Sequence, residues 1–496
     1  MSEIRVTYSG LIAFLVGIIG VITGLIFIII VTRTLSPEDI GLWTLIGSLV
    51  VYVTVIEPMI SFWTTRQIAR GEKVAKTSLI TSGLFSIIGM SVYLIIAVFV
   101  SANLKIEFFP VILAIFLVPL TFLNFTLNSI LLSYKPQGIS YGNISFEIVK
   151  LPLGFTLVYW MEMGLVGAIL ATIGSSIFKI VILFLIARVE IIGNFKKEVV
   201  KFWFRLSWIP LYSRASGFIF TLDVLIFSSI TGSLIGLAYW GVSNTIANVT
   251  THSGKITQSL YPKLLATEKK IIAEDNLKKF LYFAIPMVVG SIVFAKPALH
   301  ILNPIYVDGF LIVYFLSIRV LVNLLSSRFF SILMAYEKID LNKNASRKEY
   351  IKSKLFLVPT IGIINFGSYV VVLTIFLLTI ESSNFSEVDL ITIWSVILLV
   401  VSIPFLIYGI MYVKKLHSIE LPYVSMMKFF MAAICAGIVS YIIQIEYLEF
   451  SKSIYDFLPQ LIPIITVGGI IYFGITYIID KSTRELFQKI INEIKS

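Results

Sequence analysis

Long apolar runs, separated by short polar connections rich in lysine and arginine, recur from one end of the chain to the other. A run of about 20 apolar residues is the length of an α-helix that crosses a bilayer. Fourteen such helices are predicted, at about 8–32, 42–63, 78–101, 108–132, 144–160, 163–187, 206–230, 234–258, 280–303, 306–334, 355–380, 390–413, 424–445 and 459–479, with breaks at Pro, Gly and charge clusters. The pattern predicts an all-α integral membrane protein.

Composition agrees. Of 496 residues, 58% are apolar and 14% charged, and the mean hydropathy is +0.95, more apolar surface than water-soluble cores would hide. The first run is longer than the roughly 7–15 apolar residues of a secretory signal, and no small-residue cleavage site follows it, so it is expected to remain as a helix. The single cysteine, Cys435, excludes a disulfide framework or a cysteine metal site within one chain.

If the first helix enters from the cytoplasm, most of the 39 Lys and Arg fall in cytoplasmic segments, such as Arg66, Arg70, Lys73 and Lys76, then Lys196, Lys197, Lys201 and Arg205. The opposite loops hold only Arg33, Lys105 and Lys452, beside Glu381, Glu387, Asp389, Glu446, Glu449 and Asp456. That asymmetry predicts a multi-pass protein of the cell membrane with both termini cytoplasmic. It also accounts for the net charge of +11 through loops facing anionic head groups, so no nucleic-acid partner is expected.

An internal repeat is visible in two turns. Leu35-Ser36-Pro37-Glu38-Asp39-Ile40-Gly41-Leu42-Trp43 follows the first helix, and Thr231-Gly232-Ser233-Leu234-Ile235-Gly236-Leu237-Ala238-Tyr239-Trp240 follows the seventh, each with Ile-Gly-Leu and a Trp close behind. The basic segments Thr65-Arg66-Gln67-Ile68-Ala69-Arg70 and Tyr261-Pro262-Lys263-Leu264-Leu265 match only in charge and placement. Six crossings return the chain to its starting side, so parallel repeats are expected: residues 1–205 and 206–413 as two six-helix lobes with a cleft between them, and 414–496 as two further helices and a cytoplasmic tail. The alternative is that Gly-Leu-aromatic after a turn simply suits helical membrane proteins.

Eight cations and three acids fall inside the predicted helices, where each costs about 2.5–3.5 kcal/mol if it faces lipid alone. Lys255, Arg328 and Lys428 are within about two turns of a cytoplasmic end and are expected to extend toward head groups. Glu147 and Lys150 have the spacing of a local ion pair, structural or functional. Arg319, with Asn323 and Ser326 on the same face, forms a polar stripe expected to line an aqueous cavity. Arg214 and Asp223 point about half a turn apart, so each needs its own partner unless the helix bends near Gly217. Glu57, before Pro58, is a proton-exchanging carboxylate or a buried hydrogen-bonded one. Gly20 and Gly24, with Gly17 on nearly the same face, allow close helix packing or bending.

Counted by halves, the first is balanced by Glu57, Glu147, Lys150 and Lys179. The second sets Arg214, Lys255, Lys296, Arg319 and Arg328 against Asp223. A cationic wall at mid-bilayer depth suits an anionic cargo, because guanidinium forks grip phosphate oxygens. No Walker sequence, DxD pair, Gly-rich phosphate loop or metal-spaced cluster among His252, His300 and His417 is present, so no catalytic residue, metal or cofactor is expected.

The chain resembles the polysaccharide and oligosaccharide-lipid flippases of the multidrug/oligosaccharidyl-lipid/polysaccharide exporter superfamily. The resemblance rests on Arg33 to Trp43, on Asp223 with Gly236 to Tyr239, and on Tyr261-Pro262-Lys263-Leu264. It implies two six-helix lobes in a V, two additional helices, and alternating access that carries a polyprenyl-phosphate-linked oligosaccharide across the membrane for polysaccharide or glycan export. It further implies Arg214, Lys296 and Arg319, with Asn323 beside them, as contacts to the cargo's phosphates. An ion gradient or the membrane potential would drive transport through Glu57, Glu147 or Asp223, and glycan assembly proteins would be partners beside membrane lipids. A multidrug or cationic-metabolite exporter of the same architecture is the alternative, and a non-transporting membrane scaffold is the alternative of another class.

Overall fold

The computed structural model describes residues 6–255, 270–337, 347–380, 385–481 and 483–485, and these are helical with short connections. The principal helices are α1 (Val6–Thr34), α2 (Pro37–Thr54), α3 (Pro58–Ala69), α4 (Ala75–Leu104), α5 (Leu117–Tyr134), α6 (Gln137–Gly154), α7 (Gly164–Ala187), α8 (Lys197–Arg205), α9 (Trp208–Thr231) and α10 (Leu234–Ala247). They continue with α11 (Lys270–Val293), α12 (Ala295–Leu302), α13 (Phe310–Ala335), α14 (Lys354–Thr379), α15 (Glu387–His417), α16 (Tyr423–Tyr447) and α17 (Ile454–Ile479).

Among the described residues, 10 helices are long and apolar enough to cross a membrane, or 11 if the bent pair α2–α3 counts as one crossing. Three other predicted crossings, over α1, α6 and α10, are helical but do not qualify as continuous spans there, so the count of fourteen is not established. The helices carry apolar side chains on their outer faces, as on α4, where Ile95 and Phe99 are 69% and 68% exposed. Lipid is the solvent that suits such a face.

Local sequence explains the breaks. Ser36 caps α2 by accepting from the Asp39 N–H at 3.1 Å, with Pro37 at the first position and Glu38 and Asp39 at the positive end of the helix dipole. Pro58 lacks a donor N–H and starts α3 after a 60° bend. Ser386 and Asp389 form a capping box at α15, whose last turn holds Lys414, Lys415 and His417. Pro152 near the end of α6 precedes a π-helical stretch, Phe155–Trp160.

Two compact units result. One comprises residues 1–238 with 374–382, and the other 239–373 with 383–496. In the first, Ile60, Leu127, Leu131, Leu183 and Trp203 share a buried core. In the second, Phe329, Leu333 and Val413 join α13 to α15, while Phe280, Tyr282, Phe429 and Tyr472 join α11 to α16 and α17. Trp240, from the repeated turn, stacks on Trp394 with ring centroids 3.9 Å apart.

The glycines of α1 behave otherwise than expected. A Cβ at Gly20 would make ordinary contact with Glu147 at 4.0 Å, and one at Gly24 would meet nothing within 4 Å, so neither is required for close packing. The tight approach lies at Gly154, where a Cβ would be 2.7 Å from the Phe27 ring. The side chains of 6–18, Gly17 included, lie outside the described residues.

Candidate functional site

A charge cluster within the first unit joins α1, α6 and α7. Lys150 Nζ is 2.6 Å from Glu147 Oε2, which also accepts from the Thr23 hydroxyl at 2.7 Å. The ion pair expected from the spacing therefore forms, and α1 adds a third partner. The Phe146 ring lies 5.0 Å from Lys150 Nζ and 5.9 Å from Lys179 Nζ, and the Phe27 ring lies 5.4 Å from Lys150, so aromatic faces solvate the ammonium groups where water is scarce.

Glu57 occupies the bend between α2 and α3. Its side chain is buried, 1% exposed, and accepts from the Thr126 hydroxyl on α5 at 3.4 Å. Its own backbone carbonyl begins α3 by accepting from Ile60 N–H at 2.8 Å. No cation is within ion-pair distance among the described residues; Arg214, on α9, is the charge that acts on it electrostatically. α9 packs on both α2 and α3, and the Tyr52 hydroxyl donates to the Thr221 carbonyl there.

Arg214 is exposed, and among the described residues no carboxylate forms an ion pair with it. It stands six residues into α9, about 9 Å from the helix start at 1.5 Å per residue. Asp223, on the same helix, is buried, and its Oδ1 accepts from the Val224 N–H at 2.8 Å. The two do not pair with each other, as their angular separation requires.

Lys296 and Arg319 belong to the second unit. Lys296 is exposed on α12, with Nζ 4.4 Å from the centroid of Phe310. The apolar part of α11 begins at Phe280, so Lys296 is about 24 Å along. Counted along the helix, that is past the midpoint of a hydrocarbon layer about 30 Å thick; α11 ends at Val293, and Lys296 stands at the start of α12. Arg319 is near the middle of α13 and buried, 8% exposed. Asn323 is half-buried, and Ser326 is buried with its hydroxyl donating to the Val322 carbonyl at 2.9 Å.

Two of the cations expected to extend toward head groups donate to backbone carbonyls. Arg328 donates to the Gly254 carbonyl at 2.7 Å and lies over the Phe280 ring, and Lys428 donates to the last residue of α17, Ile479, at 3.0 Å. The Lys255 side chain and Tyr261 to Leu265 lie outside the described residues. Among the described residues no group of three or more His, Cys, Asp or Glu suits a metal ion.

Sequence reasoning missed Thr23 and Phe146, which have ordinary membrane composition, and the short helix α8, whose signal was present as Lys197, Lys201 and Arg205 at spacings of four.

No protein-family description and no curated protein matches the sequence. Solved structures do match the fold. The lipid II flippase MurJ, in an inward closed conformation, has a TM-score of 0.66 at 13% identity, over 96% of this chain and 100% of that one. An inward-facing multidrug resistance MATE family transporter of the MOP superfamily has a TM-score of 0.58 at 14% identity, over 82% of this chain and 99% of that one. The Vibrio cholerae MATE transporter VcmN scores 0.50 at 14% identity, over 83% and 98%. The chain is thus a multi-pass helical membrane protein whose fold is similar to those of the MurJ and MATE structures.

Proposed function

We propose that the protein is a flippase that moves a polyprenyl-phosphate-linked oligosaccharide across the membrane by alternating access, for polysaccharide or glycan export. The observation that carries the reading is Arg214: an exposed guanidinium inside a membrane helix, with no ion-pair partner among the described residues, on a chain that matches a lipid II flippase over 96% of its length. An unpaired guanidinium in such a place is costly unless an anion arrives, and a phosphate matches its two-pronged donor geometry.

Lys296 and Arg319, with Asn323, are the further phosphate contacts, at different depths along their own helices. Of the coupling candidates, Glu57 is favoured over Glu147 and Asp223. Glu147 is already neutralised by Lys150, whereas Glu57 is enclosed at a bend without an ion pair among the described residues. The lobe division at residues 205 and 413, cytoplasmic termini and glycan assembly partners belong to the same reading.

The test is reconstitution. Purified protein in liposomes is expected to move a fluorescent polyprenyl-diphosphate sugar between leaflets, detected by its accessibility to a membrane-impermeant quencher. Movement of organic cations but not of that lipid would replace this reading with the multidrug exporter, and movement of neither would leave the scaffold.

A further inference from the structure

We propose that α8 and the adjoining end of α3 form a binding site for anionic phospholipid head groups. On α8, Lys197, Lys201 and Arg205 recur at every fourth residue, so they share one face, and all three are exposed. The opposite face is anchored. Trp203 is 2% exposed and donates from Nε1 to the Gln67 Oε1 at 2.8 Å, and the Phe202 ring meets Trp63 edge-to-face at 5.4 Å. The Lys196 N–H, just before the helix, donates to the Thr77 hydroxyl of α4 at 3.0 Å. A basic stripe is therefore presented by a helix fixed on two others within one unit.

The neighbouring face of α3 extends the stripe. Arg66 and Arg70 are four residues apart, exposed, and adjacent to the Trp63 and Gln67 that hold α8. Glu198 is the one acid on α8, 3.3 Å from Lys201, but both are well exposed, and such a pair leaves the surface strongly positive. Exposed apolar side chains flank the cations: Val189 and Ile192 before α8, and Phe204 on it. Greasy side chains beside lysines and arginines are the combination that lies at a bilayer surface, the first entering the acyl boundary and the second meeting phosphates. An acidic soluble protein would complement the charges but leave Val189 and Ile192 in water, so lipid is the better occupant. The site is independent of which cargo the protein moves.

The experiment uses the full chain in neutral detergent micelles. Phosphatidylglycerol or phosphatidylcholine is titrated while the thermal midpoint is followed, and retained lipids are counted by native mass spectrometry. Phosphatidylglycerol is expected to raise the midpoint by roughly 3–5 °C and to be retained about fivefold over phosphatidylcholine, as binding to the folded state requires. The Lys197→Gln, Lys201→Gln, Arg205→Gln variant should lose both effects. Lys197→Arg with Lys201→Arg should keep them, and so should Lys414→Gln with Lys415→Gln on α15. Equal response to the two lipids by the wild type, or a full response by the glutamine variant, overturns the proposal. An equal shift with inorganic phosphate would assign the site to free phosphate instead, and binding of polyglutamate but not phosphatidylglycerol would assign it to an acidic protein; either outcome overturns the lipid assignment.

Discussion

Gly41, in the first turns of α2, lies so close to Leu234, the first residue of α10, that a Cβ at position 41 would fall on the Leu234 carbonyl group. The turn that follows the first predicted helix therefore touches the turn that follows the seventh, through Gly41. Gly41→Ala must displace backbone rather than a flexible side chain, and is expected to cost about 3 kcal/mol, at the upper end for overpacking. Gly47→Ala, on the same helix with nothing within 4 Å, is expected to be neutral or stabilising by up to about 1 kcal/mol. Thermal midpoints of the two variants in one detergent check the contrast; equal midpoints would refute it.

The Glu147–Lys150 pair should show strong coupling. Lys150→Met leaves Glu147 with Thr23 as its direct partner, and Glu147→Gln leaves Lys150 and Lys179 without a carboxylate. Each single change should cost more than half of the double change, with a coupling of roughly 1–3 kcal/mol in a double-mutant cycle. Additive effects would mean the pair is solvated rather than enclosed.

A pH dependence is expected at the end of α17. Asp480 Oδ1 is 3.2 Å from Lys278 Nζ, and its Oδ2 accepts from the N–H and hydroxyl of Thr483, both at 3.0 Å. Burial pushes the carboxyl up, but these hydrogen bonds outweigh it and hold its pKa below the ordinary carboxylate value. A lowered folded-state pKa gives stability that is complete above the unfolded value, near 4, and is lost as pH falls through the folded one. The stability gap between wild type and Asp480→Asn, read by thermal unfolding, should thus be constant from about pH 7 to 5 and close only below about 4. A gap that closes between pH 7 and 5 would contradict the assignment.

Glu57→Gln keeps the size and the Thr126 hydrogen bond but cannot ionise. It is expected to leave the folded protein intact and to lower gradient-driven transport about tenfold or more, with counterflow exchange less affected. Unchanged driven transport would exclude Glu57 from coupling.

Much of this architecture is legible in the sequence because lipid imposes a single rule, that backbone polar groups be satisfied within each apolar segment. Runs of apolar residues therefore mark helices, and Glu147 with Lys150 mark a pair by spacing alone, whereas the caps at Ser36 and Ser386 start two helices several residues before their apolar runs. Helix breaks were less legible. The one at Phe294, between α11 and α12, falls in a run of uniform hydropathy that does not reveal it. The enclosure of Arg319 and Ser326 likewise depends on how neighbouring helices pack, which one helix's pattern does not carry. The carbonyl partners of Arg328 and Lys428, Gly254 and Ile479, likewise come from neighbouring elements and are not written in the helix that carries the cation.

The most direct measurement is translocation of a polyprenyl-diphosphate sugar in liposomes containing wild type, Arg214→Lys or Arg214→Gln. Because Arg214 is exposed and lacks an ion pair among the described residues, neither substitution removes a stabilising pair, and both variants should fold with thermal midpoints no lower than that of the wild type. The account predicts that the lysine variant retains a substantial part of the rate while the glutamine variant loses about tenfold or more. A glutamine variant that moves the lipid at the wild-type rate would contradict it.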